Sequence, residues 1–391
     1  MSLNQSSSHA DEHVPLDRFR VGFVLFTIFL FWSAMYVYVP ILPVYARGLG
    51  ASLTVVGLLV GAYGFSQMVL RLPVGVLSDR IGRRRPFLSA GFVAAGLGAL
   101  GLALAPTPEW LVVARGVVGI AAATWVASTV LYTGFFPPGQ MTRAIGLLSF
   151  VSGIAQLVAT SAGGQIAEQF GSQAAFLSGT AIAAIGLALS FWVPERRANA
   201  TTPHLRDLVK IAAVPSLLSV SIISALSQYA SWASTYAFVP VYADILGANR
   251  ADLGTLTAAS LAAQTIATLM VAPLSHRLGP RPVMVGSLLA LALSIAVVPF
   301  QTDLLPLALW QALGGFGRGL CQTGLMAAAV RGVDPNRRAT AMGVYQAVYA
   351  IGMFVGPVTA GMVADNLGLA GAFYASAGLV ALGAAMALRS R

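Results

Sequence analysis

Residues 75–86 read GVLSDRIGRRRP, and residues 272–283, 197 positions later, read APLSHRLGPRPV. Each joins two long apolar stretches through a serine, a basic cluster and a turn glycine. The same offset lays residues 43–51 (PVYARGLGA) on residues 240–248 (PVYADILGA), which differ only at Arg47/Asp244 and Gly48/Ile245. It also pairs Gly146 with Gly343, Gly164 with Gly361 and Gly171 with Gly368. One register held through most of both halves marks an internal duplication.

The repeated unit reads as a membrane unit. Of 391 residues, 57% are hydrophobic and 9% charged, and 41 are glycine; soluble domains carry about 25% charged residues. Apolar stretches begin near Val21, Leu53, Phe87, Trp110, Ala144, Ala174, Val214, Leu253, Val283, Leu305, Thr340 and Gly371. Each is long enough for the roughly 20 helical residues that cross a ~30 Å hydrocarbon layer. Backbone groups in lipid must be satisfied within their own segment, and no long alternating strand pattern is present, so the stretches are helices. The predicted fold class is an all-α membrane protein, with twelve transmembrane helices in two pseudo-symmetric six-helix bundles. The predicted divisions are an N-terminal tail (1–19), a first bundle (20–193), a linker (194–210) and a second bundle (211–391).

Basic residues set the orientation, because Lys and Arg are retained on the cytoplasmic side. With the N-terminus inside, eighteen of the 23 basic residues face the cytoplasm, Arg47 and Arg250 lie outside, and Arg71, Arg115 and Arg318 fall within spans. The net charge of +10 is thus mostly topology, and no nucleic-acid partner is expected. Both termini are expected to be cytoplasmic, in a bacterial inner membrane, and the first apolar run is too long for a cleaved signal. Cys321 is the lone cysteine, so no disulfide is formed within the chain and no metal or cofactor site is expected.

Gly75, Leu77, Asp79, Arg80, Gly82, Arg83 and Arg84 resemble the signature loop between the second and third helices of the major facilitator superfamily, in its drug-efflux-like branch. The resemblance implies the twelve-helix fold, and a conformational latch made by Gly75, Asp79, Arg80, Gly82, Arg83 and Arg84 that closes the cytoplasmic face. The second copy has His276 for Asp79 and Pro280 for Arg83, an asymmetric latch. Arg115 and Gly119 resemble the family's fourth-helix signature, often found in proton-coupled members. The fifth span keeps small residues but lacks the Gly-Pro pair of family antiporters. The fuller form, Gly352, Gly356 and Pro357, stands in the eleventh span, where it predicts helix bending.

The thirteen carboxylates map to tails, loops and helix ends, and the four histidines also lie outside the spans. A proton-coupled carrier needs a group that titrates inside the barrier; here coupling would fall to a helix-end acid such as Glu109, Glu168 or Asp365. Residues three, four, seven or eight apart share a helix face, and three polar stripes follow. They are Tyr63, Gln67 and Arg71; Gln311, Arg318 and Gln322; and Tyr229, Trp232 and Tyr236. Gln264 repeats Gln67. Trp32, Tyr36, Trp125, Tyr345, Gln346 and Tyr349 complete an expected wall of amphipathic side chains. A guanidinium within a span costs about 2.5 kcal/mol or more on insertion scales, so Arg115 and Arg318 are expected to face a cavity or a partner.

The sequence therefore reads as a monomeric secondary transporter working by alternating access, with a small molecule, membrane lipids and protons as partners. Export of an amphipathic compound is the first expectation; uptake or exchange of an anionic metabolite is the alternative, and a non-transporting scaffold a distant one. An enzyme is not expected, since no nucleophile and base fall together within the spans.

Overall fold

The computed structural model describes residues 18–136, 140–195, 214–331, 333 and 338–389, and among them there are helices and no strands. The tail up to residue 17 and most of the 194–210 linker lie outside the described residues. The first half runs α1 (Arg18–Tyr36), a short α2 (Leu42–Gly48), α3 (Leu53–Ile81), α4 (Arg85–Ala103), α5 (Pro108–Ala123), α6 (Trp125–Thr133), α7 (Met141–Phe170) and α8 (Ser172–Ser190). The second runs α9 (Pro215–Ser231), a π-helix (Trp232–Phe238), α10 (Val239–Ile245), α11 (Arg250–Leu278), α12 (Pro280–Ala296), α13 (Leu304–Ala329) and α14 (Arg338–Arg389).

Nine helices among the described residues are long and apolar enough to cross a membrane, and physical reasons account for the three further spans. Gly368, at φ 75° and ψ 169°, breaks α14 into two crossings. The π-helix divides the seventh span between α9 and α10. In α13, 26 residues long, Gln311 and Arg318 lower the hydropathy of a segment that still spans by length. The fourth span likewise passes from α5 into α6 at Thr124.

The duplication is written into the backbone. Among the described residues six glycines adopt positive φ: Gly50, Gly82, Gly171, Gly247, Gly279 and Gly368. They form three pairs at the 197-residue offset, so both halves turn at the same places with the residue that carries no Cβ penalty there. Helix starts repeat too. Ser52 accepts the Val55 amide at 3.2 Å to cap α3, and Asn249 with Asp252 forms a reciprocal capping box on α11.

The halves meet along two seams, α3 against α14 and α7 against α11. At one end of the bundle stand Glu109, Glu168, Asp244, Asp252, Asp303 and Asp365; at the other stand Arg80, Arg83, Arg84, Arg85, Arg277 and Arg281. These ends are called the acidic and the basic rim. The seams are tightest toward the acidic rim, where a Cβ on Gly57 would lie 2.1 Å from the Pro357 carbonyl oxygen. Toward the basic rim, Gly146 has no neighbour within 4 Å of such an atom and Gly343 only Leu72 at 3.5 Å.

Candidate functional site

Where the two seams flank the middle of the bundle, a chain of rings passes from one half to the other. Trp125 of α6 packs on Trp32 of α1 at 5.0 Å between centroids, and Trp32 on Tyr36 at 5.6 Å. Tyr36 meets Tyr236 at 6.5 Å, Tyr236 meets Trp232 at 4.8 Å, and Trp232 stacks on Tyr63 of α3 at 5.2 Å and 20°. Trp232 and Tyr236 both lie in the π-helix, a distortion common at functional sites. Tyr36, Tyr63, Trp232 and Tyr236 are buried, whereas Trp32 and Trp125 are half-buried on the basic-rim side.

Two arginines, Arg115 and Arg318, face rings of this chain, and a third, Arg71, faces Tyr349. The Arg115 guanidinium of α5 sits 4.5 Å from the Tyr63 ring centre and 5.9 Å from that of Tyr38. On α13, Arg318 sits 5.2 Å from Tyr236, and donates to Gln264 Oε1 at 2.8 Å and to Ser260 Oγ at 3.2 Å. Arg71 of α3 donates to Tyr349 OH at 2.7 Å and to Gln67 Oε1 at 2.8 Å. All three are buried, at 6% exposure or less, so neither Arg71 nor Arg115 reaches out to a membrane surface. Among the described residues no carboxylate lies within ion-pair distance of them.

The duplication explains the placement. Ser260 and Gln264 stand 197 residues after Tyr63 and Gln67, so Arg115 and Arg318 address the same face of equivalent helices, with an aromatic ring in one half and a hydroxyl in the other. Small residues let the arginine-bearing helices in. A Cβ on Gly119 would lie 2.7 Å from the Tyr63 carbonyl oxygen, one on Gly315 2.0 Å from that of Ser260, and one on Gly319 2.4 Å from that of Gln264. Donors remain unused here: Arg71 Nε, Arg115 Nε and Nη1, Arg318 Nη1, Gln67 Nε2 and Trp32 Nε1. Buried donors without acceptors cost about 1–3 kcal/mol each, more when charged. An anionic group would supply the missing acceptors, and the rings would cover an apolar body.

The remaining expected site residues are placed less centrally. Gln311 accepts from Thr235 at 3.4 Å, and Tyr345 OH shares a hydrogen bond of 2.8 Å with Ser224. Gln322 and Gln346 are half-buried on the basic-rim side. Arg318 thus takes its partners from α11 rather than from Gln311 and Gln322 on its own face. In α14, Gly352 and Gly356 seat the helix against the Ala225 and Tyr229 carbonyls of α9, and the backbone remains helical through Pro357. A separate cavity of about 600 Å³, lined by Arg47, Asp244 and Arg250 among others, opens at the acidic rim between α2 and α10, away from Arg71, Arg115 and Arg318.

The family model of the Major Facilitator Superfamily matches residues 24–223 and 220–391. The chain belongs to the Major Facilitator Superfamily. Among its curated relatives, an uncharacterized MFS-type transporter of Methanocaldococcus jannaschii is 24% identical over 86% of this chain and 89% of its own. The multi-drug resistance efflux pump PmrA of Streptococcus pneumoniae is 26% identical over 93% of this chain and 94% of its own. A bacterial homolog to the human lysosomal transporter Spinster, solved in an inward-facing and occupied conformation, shares the fold with a TM-score of 0.81. That likeness covers 95% of this chain and 96% of the homolog at 15% identity.

In this MFS transporter the signature loop bonds within its own half. Asp79 pairs with Arg84 at 2.8 Å, and Glu195, just beyond α8, accepts from the Arg84 and Arg85 amides. Gly82 provides the left-handed end of α3, and a Cβ on Gly75 would lie 3.7 Å from the Val126 side chain. Arg80 and Arg83 are exposed.

Sequence patterns missed three participants: Tyr38 under Arg115, Ser260 beside Arg318, and the π-helix itself. Ser260 was within reach, since it is the repeat partner of Tyr63. The other two are set by packing between segments and leave no periodic mark.

Proposed function

We propose that this MFS transporter exports an amphipathic organic anion across the cytoplasmic membrane by alternating access, with both termini in the cytoplasm. The observation that carries this reading is the pair Arg115 and Arg318: buried, without a carboxylate among the described residues, with free donors, and each set against a tyrosine ring. Insertion scales put the cost of an arginine at mid-helix near 2.5–3.5 kcal/mol, a burden that mid-membrane cations commonly bear because they serve a pathway. A carboxylate or similar group on the substrate gives those donors their acceptors, and Tyr36, Trp232 and Tyr236 flank its apolar part. Export is supported by efflux relatives such as the PmrA pump and by half-buried aromatic side chains on the basic-rim side, the cytoplasmic side in this reading. The protein acts as a carrier, not an enzyme, and as a monomer.

Exchange of an anionic metabolite is the second reading, favoured by the amides of Gln67 and Gln264 beside the arginines. The test is flux in proteoliposomes with matched anionic, neutral and cationic aromatic probes. Anions are expected to move, and Arg318→Ala to abolish their movement while the purified protein keeps its fold and melting temperature within a few degrees. Preferential flux of cations, or undiminished anion flux in that variant, overturns the proposal. Dependence of flux on an anion supplied from the opposite side selects exchange over export.

A further inference from the structure

At the acidic rim the same fastening between halves occurs twice. Asp365 of α14 accepts from the Leu53 amide at 3.0 Å, the Thr54 amide at 2.8 Å and the Thr54 hydroxyl at 2.6 Å. Glu168 of α7 accepts from the Arg250 amide at 2.9 Å. Glu168 and Asp365 are 197 residues apart, and so are Leu53 and Arg250. Each acid of one half thus caps the first turn of a helix of the other.

The local sequence is built for this. One turn before each acid stands a glycine. A Cβ on Gly361 would lie 2.5 Å from the Leu53 carbonyl oxygen, and one on Gly164 2.7 Å from that of Arg250. Only with hydrogen there do the helices come close enough for the next-turn carboxylate to reach the opposing amides. Those amides have no partner inside their own helix. Ser52 satisfies Val55 and Asn249 satisfies Asp252, leaving Leu53, Thr54 and Arg250 to the other half. A carboxylate there also meets the positive end of the helix dipole.

We propose that Asp365 and Glu168 are paired positioning residues that hold the acidic rim shut, and that their release is the step that opens it. The pair is unequal, because Asp365 holds three donors and Glu168 one. No substrate is involved, so the device goes beyond the transport reading above and its test stands apart from it.

The experiment places a cysteine at Thr257, buried beneath the rim on α11, and a separate one at the half-buried Gln346 toward the basic rim. The native Cys321 is buried and stays silent. Labelling by a membrane-impermeant maleimide is followed from each side of oriented vesicles, without substrate. Charged hydrogen bonds partly exposed to water predict that Asp365→Ala raises Thr257→Cys labelling about three- to tenfold, that Glu168→Ala raises it less, and that the double variant raises it most. Labelling at Gln346→Cys falls in step. The exchanged pair Glu168→Asp with Asp365→Glu keeps both carboxylates and restores slow labelling to within about twofold. Unchanged Thr257→Cys labelling in the double variant overturns the proposal. So does a rise at both positions together, which is general loosening rather than opening of one rim.

Discussion

The two ends of the bundle carry the same kinds of group and use them in opposite ways. At the acidic rim, carboxylates reach across the seam to the other half; at the basic rim, the bonds of Asp79 and Glu195 among the described residues stay within their own half. The glycine contacts follow the same division, tight between halves at one end and slack at the other. A duplicated chain can fasten both ends, and in the alternating-access reading proposed above, two bundles rocking about a central site must not leave both open at once. Cross-half hydrogen bonds fasten one end here, and at the other the acid of the signature loop is occupied by Arg84.

The largest break in this comparison is expected from Gly57→Leu. Its Cβ alone would sit 2.1 Å from a carbonyl oxygen of α14, and backbone cannot yield as a side-chain tip can. Overpacking of about 3 kcal/mol lowers the closed-rim population roughly a hundredfold. Proteoliposome flux should vanish while labelling at Thr257→Cys becomes fast; normal flux would show that the seam is softer than its geometry.

A middle-sized effect is expected from Asp79→Asn, which removes an ion pair of two partly exposed groups, worth about 1 kcal/mol or less. Flux should fall a few-fold with ligand affinity unchanged if the loop works as a latch, since Asp79 lies apart from the central arginines and rings. Affinity measured by thermal shift separates this outcome from damage to the central site. The smallest effect is expected from Arg47→Ala. Its side chain donates from the end of α2 to the Ala51 carbonyl just beyond that helix, and surface changes of this kind usually stay within about 0.5 kcal/mol. Flux should remain within twofold, and a larger loss would make Arg47 part of the rim fastening.

Much of this architecture was legible because lipid and duplication leave few choices. Hydropathy marks the spans, and the 197-residue offset pairs every positive-φ glycine among the described residues, since the turns at Gly50, Gly82 and Gly171 recur at Gly247, Gly279 and Gly368. The centre was legible in composition but not in pairing. Arg318 and Gln264 stand out singly, yet their hydrogen bond crosses from α13 to α11 and depends on Gly319 admitting the backbone. Helical spacing ranks neighbours on one helix, and so favoured Gln311 and Gln322. Glu168 and Asp365 were visible only as helix-end acids, because the amides they cap belong to the other half.

The central claim is that the two rims open in opposition, with the acidic rim fastened in the state described. Spin labels at the exposed pairs Leu49 with Ile245 and Ile81 with Leu278 report the acidic and the basic rim respectively. Distances measured by double electron–electron resonance, in the unmodified background and in the Asp365→Ala, Glu168→Ala variant, test it most directly. The account predicts that the variant lengthens the first distance and shortens the second. Lengthening of both, or a first distance that does not respond, would contradict it.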